Sequence, residues 1–129
     1  MESQIFEELN ETEIQRIAAH EKWAAEVLRT AFHEDVPLDR NAAEVLDVFV
    51  EGLADAIKED DEEMGVQVLG AFLGQSMVAE LGGNWVKVRQ GFALQLENGK
   101  MADVFGVLGA RLNDDKAPTV LEFWDDMAA

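Results

Sequence analysis

Apolar residues repeat at helical spacing near the start of the chain. Ile17 and Leu28 belong to a series in which every third or fourth position is apolar, and this spacing places the series on one face of a helix. Asn10 and Glu13 have the spacing of a capping box, in which each side chain accepts a hydrogen bond from the other residue's backbone. The pattern predicts a helix over residues 11–32 that ends before the first proline of the chain.

A second amphipathic segment follows at residues 40–58. Leu46, Phe49 and Val50 fall on one side of a helix at 100° per residue, and acidic residues fall on the opposite side. This pattern predicts that one side is core and that the other is a row of carboxylates facing water. We define the acidic row, with its continuation beyond the helix, as Glu44, Asp47, Glu51, Asp55, Glu59, Asp60 and Glu62.

A third helix is predicted at residues 62–81 and is apolar on nearly all sides, which is typical of a central helix. Its uncharged run at residues 64–79 is shorter than the roughly 20 apolar residues that cross a bilayer, so a buried helix is favoured. Gly70 and Gly74 share one face, where another backbone could approach closely. Gly82 and Gly83 are expected to end the helix.

The C-terminal part has strand composition first and helical spacing later. Alternating apolar residues predict a β-hairpin with strands at about 85–88 and 92–96. Asn98-Gly99 predicts a turn, after which a helix is expected at about 101–112. Residues 119–127 form a short closing element that fits either a strand or a helix, with a helix favoured. The fold class is therefore α+β in a single domain, 1–129, with residues 1–10 open to fraying.

Charge is concentrated in the N-terminal half. The chain has 27 acidic and 10 basic side chains and a net charge of −17, and residues 1–65 contribute −14 of it. Such a field repels nucleic acid and membrane surfaces and attracts cationic partners. We therefore expect a basic protein as partner, with no direct nucleic-acid binding and no membrane binding.

Candidate catalytic and metal-binding residues are sparse. The chain has no cysteine, and its two histidines, His20 and His33, lack the spacing of a zinc site. No nucleophile elbow or phosphate-binding glycine loop occurs. We expect no catalytic residue, metal or cofactor, which favours a non-enzymatic role. The acidic N-terminus does not fit a secretory signal, so a cytoplasmic location is expected.

The three tryptophans all lie within apolar patterns. Trp23, Trp85 and Trp124 are therefore each expected in the core or at its edge. Trp85 follows the glycine pair that ends the third predicted helix. There it is expected to close the corner between that helix and the hairpin.

The glycine and tryptophan positions also carry a resemblance. Residues 69–74 read Leu-Gly-Ala-Phe-Leu-Gly and residues 81–86 read Leu-Gly-Gly-Asn-Trp-Val. This block resembles the signature of a family of uncharacterised bacterial proteins, in which a Leu-Gly-x-x-x-Gly helix leads into Gly-Gly-x-Trp and a hairpin. Its structural signature residues here are Gly70, Gly74, Gly82, Gly83 and Trp85. The resemblance, which extends over about residues 11–124, implies a bacterial cytoplasmic domain of unknown function and transfers no catalytic residue.

Three functional hypotheses follow. The leading one is an acidic, non-enzymatic protein–protein interaction module whose acidic row engages a basic partner, with an immunity- or antitoxin-like inhibitor as one form of it. The alternative is a small-molecule-binding domain or an enzyme with a pocket between the Gly70/Gly74 helix and the hairpin. The third is a module that forms homo-oligomers through the hairpin or the C-terminal tail.

Overall fold

The computed structural model describes residues 7–89, 91–114 and 116–129, apart from the side chains of residues 53–55, 57, 58 and 60. The elements follow one another in this order: β1 (Glu7–Glu8), α1 (Glu11–Phe32), α2 (Arg40–Leu81), β2 (Gly83–Val88), β3 (Gly91–Leu96), β4 (Met101–Ala102), α3 (Val104–Asn113) and α4 (Val120–Ala128). The α+β class is confirmed, and helices account for most of the described chain.

Helix α1 has the predicted bounds because its ends are defined by local chemistry. The Asn10 Oδ1 accepts the Glu13 backbone N–H at 2.8 Å, and the Asn10 N–H donates to the Glu13 carboxylate at 2.9 Å. This capping box satisfies backbone donors that the first helical turn leaves free. The helix ends at His33, which takes a left-handed conformation with φ 63°.

The two helices predicted at 40–58 and 62–81 are joined in α2. Asp61 interrupts it with an extended backbone (φ −159°, ψ 90°), and its side chain accepts the Met64 backbone N–H at 3.1 Å. Asp61 therefore caps a new helical segment within the same element. Counting both parts of α2, the described residues form five helical segments, in place of the predicted three N-terminal helices and one C-terminal helix.

The fifth helical segment is the closing element, which is the helix α4. Thr119 Oγ1 accepts the Glu122 backbone N–H, and the Glu122 carboxylate accepts the Thr119 N–H at 2.8 Å. A second capping box thus begins α4.

The predicted hairpin is the centre of a larger sheet. Strands β2 and β3 pair antiparallel with Trp85 opposite Leu94, and the sheet has the order β1-β2-β3-β4. Glu7 and Glu8, within the segment left open to fraying, pair with β2. Met101 was predicted to begin a helix but lies in β4. Helix α3 begins only at Val104, because the Asp103 side chain caps it by accepting the Gly106 N–H at 3.0 Å.

The glycines at the end of α2 lie where a side chain would be strained. Gly82 has φ 80°, and its N–H donates to the Val78 carbonyl at 3.0 Å, which ends the helix as predicted. A Cβ on Gly83 would come within 2.6 Å of the Gln95 carbonyl oxygen across the sheet. The pair therefore allows the chain to leave α2 and enter β2 without a loop.

Helix α2 packs against α1, α3, α4 and the sheet, so the core forms around it. Its second part, Asp61–Leu81, is long and apolar enough to cross a membrane by length and composition, with half of that span buried inside the fold. Such burial is typical of a core helix. Trp124 is buried as predicted, whereas Trp23 is 53% exposed, so its predicted core position is wrong.

Candidate functional site

The acidic row does not present a uniform surface to water. Asp47 is half-buried, and its two carboxylate oxygens accept the backbone N–H groups of Val120 at 2.8 Å and Leu121 at 2.9 Å. These are the first two residues of α4, whose N-terminus carries free donors and the positive end of the helix dipole. Asp47 thus attaches α4 to α2.

Glu51 and Glu62 also have partners within the chain. Arg111 Nη2 donates to the Glu51 carboxylate at 3.0 Å, with the arginine side chain only 9% exposed. Asn113 Nδ2 donates to the Glu62 carboxylate at 2.8 Å. The row therefore runs beside α3 and α4, and these helices supply donors to three of its members.

The remaining members of the row divide into two groups. Glu44 and Glu59 are exposed. The predicted partner-binding side chains of Asp55 and Asp60 lie outside the described residues. Partner binding through the row therefore stays a prediction; its exposed described members are Glu44, Glu51 and Glu59, and Glu51 is the one of these three that Arg111 contacts.

The face with Gly70 and Gly74 is filled by two aromatic rings. A Cβ on Gly70 would collide with the Phe105 ring, and one on Gly74 would collide with the Trp85 ring. These two rings lie 5.8 Å apart, centre to centre. The structure thus places Gly70, Gly74 and Trp85 of the signature in one packed contact.

A hydrogen-bonded chain fixes the Trp85 ring. Trp85 Nε1 donates to Gln75 Oε1 at 2.9 Å, and Gln75 Nε2 donates to the Glu21 carboxylate at 3.2 Å. The chain links β2, α2 and α1. Because the indole N–H of a half-buried tryptophan requires an acceptor, Gln75 keeps this ring in one orientation.

An open groove lies beside this packed face. Its volume is about 1100 Å³, and residues from α1, the second part of α2, the sheet and the start of α3 line it. Its apolar lining includes Ile17, Val66, Ala71, Val88, Phe92 and Phe105. The alternative hypothesis placed a pocket between the Gly70/Gly74 helix and the hairpin. The groove lies between these elements, and Glu63, Val66, Gln67 and Ala71 of α2 contribute to its lining.

Charged and polar side chains also line the groove: Arg16, His20, Glu62, Glu63, Gln67 and Asp103. Glu63 and Asp103 are exposed, and the Asp103 carboxylate also caps α3. Burial lowers the pKa of His20 below its ordinary value, and the positive charge of Arg16 lowers it further. The lowered pKa favours the neutral form of His20, and the carboxylates outnumber the cations along the groove.

No sequence pattern indicated which residues line this groove. His20 was interpreted as a helix-surface residue, and Arg16 and Phe105 carried no functional prediction. Within the described part of the chain, no cluster of three or more histidine and acidic side chains is arranged to hold a metal ion.

Comparisons of the chain with protein-family models, with curated proteins and with solved structures give no match. The class that the fold and the site define is an α+β domain with an acidic, apolar-lined groove. The resemblance to the bacterial family stays a prediction.

Proposed function

We propose that this chain is a non-enzymatic interaction protein and that its groove binds a basic segment of another protein. The observation that carries the proposal is the groove itself, in which an apolar lining meets Glu62, Glu63 and Asp103 in a chain of net charge −17. A segment with both apolar and basic side chains is complementary to both features.

The two features contribute differently to binding. Burial of apolar surface in the groove favours binding, by about 25 cal/mol per Å² removed from water before the entropic cost of association is subtracted. The acidic side chains accelerate encounter with a cationic partner and repel anionic ones. Binding that depends on them weakens as salt screens the charges.

The acidic row has a smaller part in this proposal than in the sequence-based hypothesis. The exposed Glu44 and Glu59 add to the negative field, whereas Asp47 and Glu51 already have partners in the chain. An immunity- or antitoxin-like inhibitor that covers the basic surface of an enzyme is one specific form of the proposal. A cytoplasmic location and membership of the bacterial family belong to the proposal as well.

The test uses a synthetic peptide of alternating lysine and leucine as probe, titrated by calorimetry at about 20 mM and about 150 mM salt. We expect tighter binding at low salt, and a loss of about tenfold on Glu63→Lys, equivalent to about 1.4 kcal/mol. Glu80→Lys makes the same charge change on an exposed residue of the same helix outside the groove lining, and it serves as the matched control.

Two outcomes would contradict this function. If the peptide does not bind at either salt concentration, the groove is no site for a basic segment. If Glu63→Lys and Glu80→Lys weaken binding equally, the peptide responds to net charge and not to the groove. Reversing Asp47 or Glu51 is not a clean test, because either change also breaks contacts that attach α4 or α3.

One observation favours a second function, the binding of a small molecule. A groove of about 1100 Å³ is large enough for a ligand, and the neutral His20 and the cation Arg16 could orient one. Mass spectrometry of compounds released from the purified protein on denaturation distinguishes the two functions. A stoichiometric compound that the peptide displaces would assign the groove to that compound.

A further inference from the structure

We propose that the segment bound in the groove is extended and joins the sheet as a strand beside the first half of β3. This inference rests on the proposed function, since it concerns the same groove and the same basic segment. It adds the backbone conformation of the partner and the place where its main chain bonds.

The first observation is that β3 is paired fully on one side and partly on the other. All six of its residues have partners in β2, from Leu96 opposite Gly83 to Gly91 opposite Val88. On the other side β4 pairs only with Leu94 and Gln95. The first half of β3, residues 91–93, thus has no neighbouring strand on that side among the described residues.

The second observation concerns the direction of the backbone groups. The Leu96 N–H donates to the Lys100 carbonyl and the Leu96 carbonyl accepts the Gly99 N–H, each at 2.9 Å, so Leu96 points its polar groups away from β2. Along an antiparallel strand the backbone N–H and C=O groups point to one side and then to the other at successive residues. The N–H and C=O of Phe92, four residues before Leu96, therefore also point away from β2. In the described part of the chain no strand lies opposite Phe92 to bond with them.

The third observation is that the open half of β3 borders the groove. Strand β4 ends after two residues, and Asp103 follows it as the cap of α3. Gly91, Phe92 and Ala93 therefore line the groove, with Met101 and Asp103 next to them. A segment placed there would lie in the groove and beside the unpaired edge at once.

Strand β1 and the open half of β3 each have one side without a neighbouring strand, and they differ in how they resist further pairing. The β1 edge consists of Glu7 and Glu8, which are exposed and charged. Short edge strands with charged side chains discourage another strand from adding. The open half of β3 has neither charge nor proline, since it reads Gly-Phe-Ala. It therefore lacks the charged side chains and the proline that protect an edge strand.

The length of the open edge and the groove lining indicate which kind of segment binds. Three open residues offer about 10 Å of strand, so a partner segment of about three to five residues is sufficient. Side chains alternate along a strand, so apolar ones can reach the apolar lining while basic ones reach Glu63 or Asp103. The inferred ligand is a short extended segment with alternating apolar and basic residues.

Backbone N-methylation of the probe peptide tests the pairing without altering the protein. Each derivative of the lysine–leucine peptide carries one N-methyl group, which removes one N–H donor. We expect a loss of about tenfold or more at the position whose N–H donates to the Phe92 carbonyl, from the missing hydrogen bond, and a smaller effect at the positions on either side. These neighbouring positions are the built-in control.

Amide hydrogen exchange of the protein supplies an independent measurement. Binding of the unmodified peptide should slow exchange of the Phe92 N–H by about tenfold or more. The Ala93 N–H, which by the same alternation points toward β2, should change far less. The comparison of these neighbouring amides separates strand addition from general stabilisation.

The possible outcomes separate this inference from the proposed function. Strand addition is wrong, and the proposed function stands, if the peptide binds with the expected salt dependence but two effects are missing. These are the dependence of affinity on the position of the N-methyl group and the slower exchange of the Phe92 N–H. If no peptide binds, both are wrong. If Phe92 is protected without peptide and the protection rises with protein concentration, a second copy of the chain occupies the edge, which overturns the inference.

Discussion

The acidic row on α2 and the carboxylates of the groove consist of the same residue types but have different surroundings. Asp47 and Glu51 bond to groups from α4 and α3, whereas Glu63 and Asp103 remain exposed beside an apolar groove. Carboxylates that α3 and α4 reach serve the fold. Beside the groove, Asp103 also caps α3 and Glu62 bonds to Asn113, so Glu63 is the groove carboxylate that makes no bond within the described part of the chain. A count of charges along the sequence does not distinguish the two groups.

The strongest test of this difference is Asp47→Ala. It leaves two backbone N–H groups of α4 without acceptors, so we expect a loss of about 2 kcal/mol in the free energy of unfolding. Urea denaturation measures it. Glu44→Ala, an exposed change on the same helix, is the control and should stay within about 0.5 kcal/mol. Equal losses for the two variants would show that Asp47 does not attach α4.

A smaller effect is expected for Glu51→Gln, which removes the charge that faces Arg111. The carboxylate is largely exposed, so the loss should be about 0.5–1 kcal/mol at low salt. Repeating the urea measurement at about 1 M salt should reduce the difference from the parent protein, because salt screens the pair. A difference that does not depend on salt would indicate packing instead of charge.

Glu63→Lys should have almost no effect on folding. Glu63 is exposed and makes no hydrogen bond or ion pair in the described part of the chain, so we expect a change within about 0.5 kcal/mol. Together with its predicted effect on peptide binding, this sharpens the comparison between a structural and a binding carboxylate. A large loss of stability would instead show that Glu63, like Asp47, contributes to the fold.

A further small effect is expected in the pH dependence of stability. The folded state lowers the pKa of His20 from its ordinary value of 6.5, so protonation of His20 favours the unfolded state. The stability that neutral His20 contributes is fully present above pH 6.5, its ordinary pKa. This stability is lost as the pH falls below 6.5 toward the lower pKa of the folded state. His20→Gln should flatten the change in melting temperature between pH 7.5 and 5.5. An unchanged pH dependence would mean that His20 titrates normally.

The helices could be predicted where their ends are encoded locally. Asn10 and Glu13 gave the start of α1, and Thr119 and Glu122 have the same spacing, which could have assigned α4. Met101 fits the helical spacing of the residues after it, so β4 was missed, although Asp103 offered a capping signal for a later start. Local chemistry therefore explains most of the correct bounds and one of the errors.

The surroundings of the row and the groove depend on contacts between distant segments. The pattern of α2 separates an apolar from a polar side, but it does not reveal that α4 covers Asp47 from 73 residues away. The groove combines residues of α1, α2, the sheet and α3, and no single segment carries its signature. To predict such features, one has to know how the elements pack, and the periodicity of each element does not supply this.

The Trp85 ring is hydrogen-bonded to Gln75 and lies 5.8 Å from the tilted Phe105 ring, so its fluorescence can report on the groove. Phe105 touches both the groove and this indole, so filling the groove should shift the emission of Trp85 while the deeply buried Trp124 emits unchanged. With Trp23 replaced by phenylalanine to remove the solvent-exposed fluorophore, the protein would report its own occupancy without any added label.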